Sequence, residues 1–201
     1  GYLSFGIAQK EPNRDDFEAG TTMQPNAETL HNFELGVEKK SNQLYFATTL
    51  YYMLYKNQLV LTGKVNDVGA YTRINVLNSY RLGIELQASY VFNNYFNVAG
   101  NVTLSTNKIQ SFTEFIDDYD HNNQAEIKHT NSDITLSPSV IASTNINFLP
   151  TKNLEISLIG KYVGKQYLDN TQNENRMLKG FYTQDVRCIY TIKNKIFKEW
   201  N

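Results

Sequence analysis

The side chains in this sequence that are best able to bind a ligand lie between positions 109 and 133. Phe115 and Tyr119 offer aromatic rings, and His121 and His129 offer imidazoles, all among acidic and amide side chains. The segment lacks a strand-like pattern and is predicted to be a long loop, a kind of segment that is usually functional or disordered. Aromatic and polar groups together suit a bulky, partly polar ligand at a pocket mouth. These four residues are therefore the ligand-binding candidates, and a cover without specific contacts is the alternative.

A metal site in this segment is not predicted. Asp118-Tyr119-Asp120 begins like a calcium-binding loop. The twelfth position is His129, however, where such a loop needs a bidentate glutamate. His121 and His129 have side chains that can contact iron or haem, but loop histidines are more often plain surface residues. The sequence therefore predicts neither a resident metal nor a cofactor.

Several function classes are excluded by motif and charge. The sequence lacks the Gly-x-Ser-x-Gly, Walker and His-Glu-x-x-His motifs, so no catalytic residues and no enzymatic activity are predicted. A formal net charge of −1 over 201 residues argues against a nucleic-acid partner, which would require a basic stripe. The single cysteine, Cys188, excludes an intrachain disulfide.

The elements that must position these residues are indicated by apolar side chains at every second position, the period of a β-strand. Between Tyr80 and Phe92 the even positions are apolar or aromatic, and the odd positions are nearly all polar. Leu82, Ile84 and Leu86 are therefore predicted on one face, and Arg81, Glu85 and Gln87 on the other. The remaining segments with this pattern are 2–9, 31–39, 44–54, 95–108, 134–148, 154–162 and 182–192.

These segments predict an all-β protein, an antiparallel meander of about eight long strands. Several run to about 13–15 residues, and a strand of about 45 Å, tilted by about 45°, spans a hydrocarbon core of about 30 Å. Tight turns alternate with long polar segments, as in an outer-membrane barrel. The turns are predicted at 41–42, 93–94 and 150–152, and the long segments at 10–29, 56–79, 109–133 and 168–177.

Two features leave alternatives open at this stage. Pro138 falls inside the strand predicted over 134–148 and cannot donate to a ladder, so it marks either a bulge or a later strand start. An apolar and a polar face also fit a soluble β-sandwich, in which the apolar face points inward. Long strands, a polar face rich in Asn, Ser and Thr, and aromatic residues near the strand ends favour the membrane barrel.

Four motifs in order resemble the TonB-dependent outer-membrane receptors, and most closely their Bacteroidota versions. Residues 7–12 resemble a strand end that opens an extracellular loop, and 26–36 resemble the strand with the Phe-Glu-Leu-Gly motif. Residues 51–60 are similar to a tyrosine-rich strand of the family. The most specific match is 75–85, which ends in Gly83-Ile84-Glu85. The resemblance covers nearly the whole chain.

The resemblance implies that residues 1–201 are a C-terminal segment of a barrel of about 22 strands, with the plug domain and the remaining strands absent. It implies a receptor in the outer membrane of a Gram-negative bacterium that takes up a scarce nutrient such as a ferric siderophore. The implied partners are outer-membrane lipid, the plug and other strands, the small nutrient ligand, and the TonB complex through parts not present here. A complete eight-stranded outer-membrane barrel and a soluble β-sandwich binding module are the alternatives.

Overall fold

A computed structural model describes residues 1–18, 24–65, 71–118 and 123–192, which form a long antiparallel sheet and two short helical turns. No helix in these ranges is long and apolar enough to cross a membrane. The elements are β1 (Tyr2–Lys10), α1 (Arg14–Glu18), β2 (Glu28–Lys40), β3 (Leu44–Val65), β4 (Tyr71–Asn93), β5 (Phe96–Asp118), β6 (Asn123–Asp133), β7 (Val140–Thr151), β8 (Leu154–Val163), β9 (Gln166–Tyr167), a 3-10 helix (Glu174–Arg176), β10 (Met177–Leu178) and β11 (Phe181–Tyr190).

The sheet is a meander in which long strands pair with their neighbours in the order β1-β2-β3-β4-β5-β7-β8-β11. The first half of β5 pairs with β7, and its second half pairs with β6. Short turns at 41–43, 94–95 and 152–153 connect strands close to where the sequence predicts them. The prediction of an all-β antiparallel meander of long strands is confirmed.

The two faces of the sheet differ as predicted. The apolar face carries Leu82, Ile84 and Leu86, and many of its large side chains are exposed, among them Phe33, Leu50, Leu82, Leu104 and Leu158. The polar face carries Arg81 and Glu85, and both side chains line a cavity on that face. No second layer covers the apolar face in the described ranges, so the chain presents a broad unpaired apolar surface.

The predictions of long loops at 56–79 and 109–133 are wrong. β3 and β4 continue as paired strands to Val65 and from Tyr71, and β5 and β6 pair from Lys108↔Asp133 to Asp118↔Asn123. Apolar and polar side chains no longer alternate regularly in these stretches. Backbone pairing between strands does not require that alternation. Strands that are solvated on one face can carry polar side chains there while their N–H and C=O groups remain paired.

Pro138 marks a later strand start, so the predicted strand over 134–148 begins too early. β7 starts at Val140, and Leu136 adopts a left-handed conformation with φ 50°. Pro138 lacks an N–H but its carbonyl accepts a hydrogen bond from the Ser105 hydroxyl, at 3.3 Å. The Ser105 backbone N–H donates to the carbonyl of Ser139 at 2.8 Å. The irregular segment 134–139 therefore lies against β5 without being part of the ladder.

The segment predicted as a polar connection over 10–29 contains the short helix α1. Asn13 and Asp16 cap this helix reciprocally, each backbone N–H donating to the other side chain, at 2.8 and 3.0 Å. The second Asp16 oxygen pairs with Arg73 of β4 at 2.7 Å. Asn75 accepts from the backbone N–H of Asn26 and donates to its carbonyl, at 2.8 and 3.0 Å. The connection is thus fastened to β4 at two points.

The side-chain alternation changes phase at one level across three adjacent strands. In β4, Val76 and Ser79 are buried while the two residues between them, Leu77 and Asn78, are exposed. The same order of buried, exposed, exposed, buried occurs in β5 over 109–112. Strict alternation would place residues three apart on opposite faces. Below this level, odd-numbered side chains of these strands lie on the polar face. Above it, even-numbered side chains lie on that side instead.

Asparagines in the left-handed conformation stand at this level. Asn57 of β3 has φ 56° and Asn131 of β6 has φ 55°, and neither position forms a ladder pair. Asparagine tolerates this conformation better than most residues. The pairing of β4 with β5 ends here, at Ser79↔Ile109. The outer parts of β3–β4 and β5–β6 continue as two separate hairpins, which we call the projecting hairpins.

The phase change gives the projecting hairpins a hydrophobic core of their own. Ile109 follows the polar-face positions Ser105 and Asn107 in the alternation of β5, and it is fully buried. Side chains from both projecting hairpins and from the irregular segment 134–139 pack with it. The cluster consists of Val60, Val76, Ile109, Phe112 and Ile134, with Ile74 at its border. The hairpins are therefore packed against each other rather than independently mobile.

Cysteine labelling at two neighbouring positions tests the phase change. Val76 is 3% exposed and Leu77 is 78% exposed, whereas uninterrupted alternation from Arg81 would point Leu77 to the polar side and Val76 away from it. In the purified full-length protein, we expect Leu77→Cys to react with a water-soluble maleimide about tenfold faster than Val76→Cys, because access limits the reaction of a thiol. Faster labelling at position 76 would contradict the phase change.

Candidate ligand-binding mouth

A cavity of about 420 Å³ opens on the polar face just below the projecting hairpins; we call it the mouth cavity. The alternation of β2, β3, β4 and β5 points one polar or aromatic side chain of each strand into it at every second position. The irregular segment 134–139 closes one end with Leu136 and Pro138. The polar and charged lining residues are Tyr2, Glu34, Thr49, Tyr51, Arg81, Glu85, Thr103, Ser105, Asn107 and Ser137.

Arg81 is the fixed cation of the mouth cavity. Its Nη1 donates to the Ser137 hydroxyl at 3.0 Å and to Asn107 Oδ1 at 3.4 Å. Neither partner carries a charge, and Glu85 is the acid that lies two alternation steps away on the same strand. A guanidinium held by neutral partners keeps donors for an anionic or carbonyl group of a ligand.

Tyrosines lie flat over glycines on this face and widen its aromatic surface. A Cβ at Gly83 would collide with the Tyr51 ring, and a Cβ at Gly36 would collide with the ring of Tyr2. Both glycines are directly opposite these tyrosines in the ladder. An aromatic ring over a strand glycine covers backbone that would otherwise lack side-chain packing. The wall therefore offers phenol groups, carboxylates and one guanidinium to a polar molecule.

Asn170 ties three parts of the mouth together. It is 0% exposed. Its Nδ2 donates to the carbonyl of Leu61 in the first projecting hairpin at 3.0 Å. Its Oδ1 accepts from the backbone N–H of Thr135 in the irregular segment at 2.9 Å. The same segment is held again where the Leu136 N–H donates to the carbonyl of Tyr167, at 2.9 Å.

A chain of charges links the second projecting hairpin to the connection between β8 and β11. Glu114 contacts His129 Nε2 at 2.9 Å and Arg176 Nη1 at 3.5 Å, and Arg176 also contacts Asp169 at 3.0 Å. Each charge has a partner of opposite sign or a hydrogen-bonding neighbour, so the chain holds the connection against the hairpin. The connection at 168–177 is largely irregular, as predicted.

Asp169, at the end of this series of charged side chains, is stabilised in its charged form. Burial alone would raise the pKa of Asp169, but hydrogen bonds from Thr171 and Arg176 outweigh burial and lower it. The hydrogen bond and the charge of Asp169 in turn raise the pKa of Arg176. Because the folded-state pKa of Asp169 is depressed, its contribution to stability is present above about pH 4 and is lost as the pH falls through the lower folded value.

The predicted site residues lie on the second projecting hairpin or outside the described ranges. His129 belongs to β6, opposite Phe112, and its imidazole is engaged by Glu114. Phe115 belongs to β5 and follows Glu114, so it faces the other side of the hairpin from that contact. Tyr119 and His121 lie outside the described residues. The ligand-binding role of these four residues stays a prediction.

The mouth contains residues that sequence reasoning does not find. The sequence offers Arg81 only as one of several charges on the polar face, and it offers no signal at all for Asn170. Leu61 and Thr135, which bond to Asn170, are far from it in the sequence and present only backbone groups to it. Among the described residues, no group of three or more His, Cys, Asp or Glu side chains is arranged to hold a metal ion.

Removing the Asn170 amide is expected to loosen the mouth. Asn170→Ala removes the hydrogen bonds to the carbonyl of Leu61 and from the N–H of Thr135, two part-buried bonds that contribute about 0.5–1.5 kcal/mol each. Hydrogen exchange of the full-length protein should then show faster exchange in 134–139. Asn175→Ala, at an exposed position of the same connection, is the control and should leave exchange unchanged. Equal exchange in both variants would show that Asn170 does not fasten the mouth.

Comparison with solved structures places this sheet among large barrel proteins. The copper transporter OprC is 12% identical, with 94% of this chain and 28% of that chain covered and a TM-score of 0.66. The G324V mutant of the ferric enterobactin receptor PfeA from Pseudomonas aeruginosa is 18% identical, with 95% and 30% covered and a TM-score of 0.61. The FrpB iron transporter of Neisseria meningitidis, F3-3 variant, is 17% identical, with 94% and 29% covered and a TM-score of 0.61.

These likenesses show the fold, and the chain spans less than a third of the length of each structure. Comparison with curated protein sequences gives no significant match. The sequence matches the family described as TonB dependent receptor-like, beta-barrel, over residues 2–200. Strand order, alternating faces and this match over almost the full chain agree: the chain belongs to the TonB-dependent receptor-like β-barrel family.

Proposed function

We propose that residues 1–201 form a C-terminal wall segment of an outer-membrane receptor barrel that takes up a scarce nutrient, such as a ferric siderophore, in a Gram-negative bacterium. The observation that carries the proposal is the pairing of an exposed apolar face with a polar face that holds the mouth cavity. The apolar face meets lipid, and the polar face lines the barrel interior. The plug domain, the other strands and the TonB complex, which acts through parts outside this segment, are its proposed partners.

The strand dimensions support a membrane position for the lower half of the sheet. The part of β3 from Leu44 to Lys56 is about 43 Å long, and about 30 Å when tilted by about 45°, which equals the hydrocarbon core. The phase change at Asn57 lies directly above this stretch. The projecting hairpins then extend beyond the membrane, where water solvates one face and the small core supports the other.

Aromatic residues gather at the other end of the lower half. Tyr90, Phe92 and Phe96 contact one another, with ring centroids 4.8 and 5.5 Å apart in the two successive pairs. Tyr95 and Phe148 lie near them and are exposed. Aromatic rings favour the boundary between headgroups and acyl chains. This cluster is the proposed periplasmic girdle of the segment.

The nature of the mouth supports a receptor rather than a catalyst. The cavity combines one guanidinium, two carboxylates, phenols and amides on rigid strands, which suits the binding of a polar molecule without reacting with it. The relatives named above are described as transporters or receptors of copper, ferric enterobactin and iron. Uptake of a metal in a chelated, partly anionic form is therefore the favoured activity, with Arg81 as a contact on the barrel wall.

A sandwich or a small closed barrel receives less support. A soluble sandwich would require a second layer over the apolar face, and none is present among the described residues. A complete eight-stranded barrel would pair its first and last strands, whereas the pairing order in the described ranges runs from β1 to β11 without joining them. The segment of a larger barrel fits both observations.

Uptake measurements with an Arg81 variant test the proposal. In a strain that lacks the receptor gene, the full-length wild-type receptor should restore growth under iron limitation on at least one ferric siderophore from a panel. Arg81→Gln should raise the substrate concentration needed for half-maximal uptake about tenfold, because a hydrogen bond to a charged group contributes about 1.5–3 kcal/mol.

Lys152→Gln, in the tight turn at the opposite end of the strands, is the matched control and should behave as wild type. Both variants must reach the outer membrane in wild-type amounts. If the wild-type receptor supports growth on no chelated metal, the proposed uptake is wrong. If only Arg81→Gln is without effect, the receptor function stands and the role of Arg81 is wrong.

A further inference from the structure

A second cavity, of about 410 Å³, opens on the apolar face at its upper border; we call it the border cleft. Two successive rows of cross-strand neighbours form it. The lower row is His31↔Leu54↔Tyr80, and the upper row is Thr29↔Lys56↔Asn78. The chemistry of this face thus changes from apolar and aromatic to polar and cationic within one alternation step.

The lining of the border cleft is divided in the same way. Phe33, Leu54 and Tyr80 form an apolar and aromatic lower part, and Lys56, Asn78 and Gln110 form a polar upper part, with His31 beside them. His31 is held in place by Phe5, whose ring stacks on it with centroids 6.4 Å apart. A cavity that is apolar below and hydrogen-bonding above matches an amphiphile, not a free ion.

The charge of the border cleft is not neutralised by this segment. Lys56 is exposed, and it forms no ion pair with the described residues. The acids closest along the neighbouring strands are already paired, Glu28 with Lys10 at 3.5 Å and Asp133 with Lys108 at 2.7 Å. The cleft therefore presents a free ammonium group and two carboxamides in its upper part, with an imidazole in the row below.

We propose that the border cleft binds the phosphorylated headgroup of an outer-leaflet lipid. Lys56 and an imidazole N–H of His31 contact the phosphate oxygens, and the carboxamides of Asn78 and Gln110 donate further hydrogen bonds. An acyl chain lies along Leu54 and Tyr80 toward the membrane. The proposal rests on the membrane position proposed above. It draws on charge complementarity and on the continuity of the cleft with the lipid-facing surface.

Lipid binding by the purified full-length receptor tests the proposal. The receptor in detergent is titrated with lipid A that carries two phosphates and, separately, with the same lipid after removal of its phosphates, and the bound lipid is counted by native mass spectrometry. We expect the wild type to retain the phosphorylated form about tenfold more tightly. Lys56→Gln should abolish this preference, and Lys56→Arg should preserve most of it.

Lys40→Gln is the matched control, because Lys40 is an exposed lysine at the opposite end of β2, and it should bind as wild type. Equal retention of phosphorylated lipid by wild type and Lys56→Gln would overturn the proposal. Displacement of the lipid by millimolar inorganic phosphate would also overturn it, because it would indicate a site for free anions. A wild type that binds neither lipid would also overturn the proposal, without contradicting the membrane position. Siderophore uptake should be unchanged in Lys56→Gln, which separates this site from the receptor function.

Discussion

The structure depends on one requirement: the N–H and C=O groups of very long strands must find partners within the sheet. β3, β4 and β5 run for 22, 23 and 23 residues, and in lipid an unpaired backbone group is too costly to tolerate. The antiparallel ladder meets this requirement while leaving side chains free to differ on the two faces. The same backbone can therefore present Leu82 on an apolar face and Arg81 on a polar face. The proposed division into a membrane wall and a binding wall follows from the ladder.

The change of phase at Asn57, Leu77 and Gln110 lets the same strands serve two environments. Below it, an apolar face directed away from the interior suits a bilayer. Above it, both surfaces of a projecting hairpin would meet water, and the inversion instead brings Val76 and Phe112 together on one side. A small core then supports the strands that extend beyond the proposed membrane wall. Asn170 and the charges around Glu114 fasten the irregular segments to this core, so contacts within the chain hold the mouth in place.

Much of the fold is predictable because alternation is a strong local signal. The strand over 80–92, the tight turn after it and the separation of Leu82 from Arg81 follow from side-chain type alone. The outer parts of β3 to β6 are not predictable in this way. Their inward positions include Glu114 and Ser79, and their phase changes within the strand, so the sequence from 109 to 133 resembles a loop although its backbone is paired.

The candidate site is less predictable than the fold, for a physical reason. Asn170 acts by reaching backbone groups of Leu61 and Thr135, and backbone groups leave no trace in residue type. His129 attracts attention as an imidazole in a polar segment, yet its observed partner is Glu114. Pro138 is informative because a missing N–H restricts the ladder directly, and the strand does begin beyond it. Motifs in sequence order indicate the family, and the pattern of side chains within the sheet indicates what this segment of it can bind.

The orientation of the two faces is tested most directly by spin labels placed singly along β4, from Tyr80 to Tyr90, in the full-length receptor in a lipid bilayer. Accessibility to oxygen, which concentrates in lipid, and to a water-soluble nickel chelate is measured at each position. We expect oxygen accessibility to peak at even positions, including 82, 84 and 86, and to fall at 81, 85 and 87. A label at position 85 that is exposed to lipid, with one at 84 exposed to water, would contradict the proposed membrane wall.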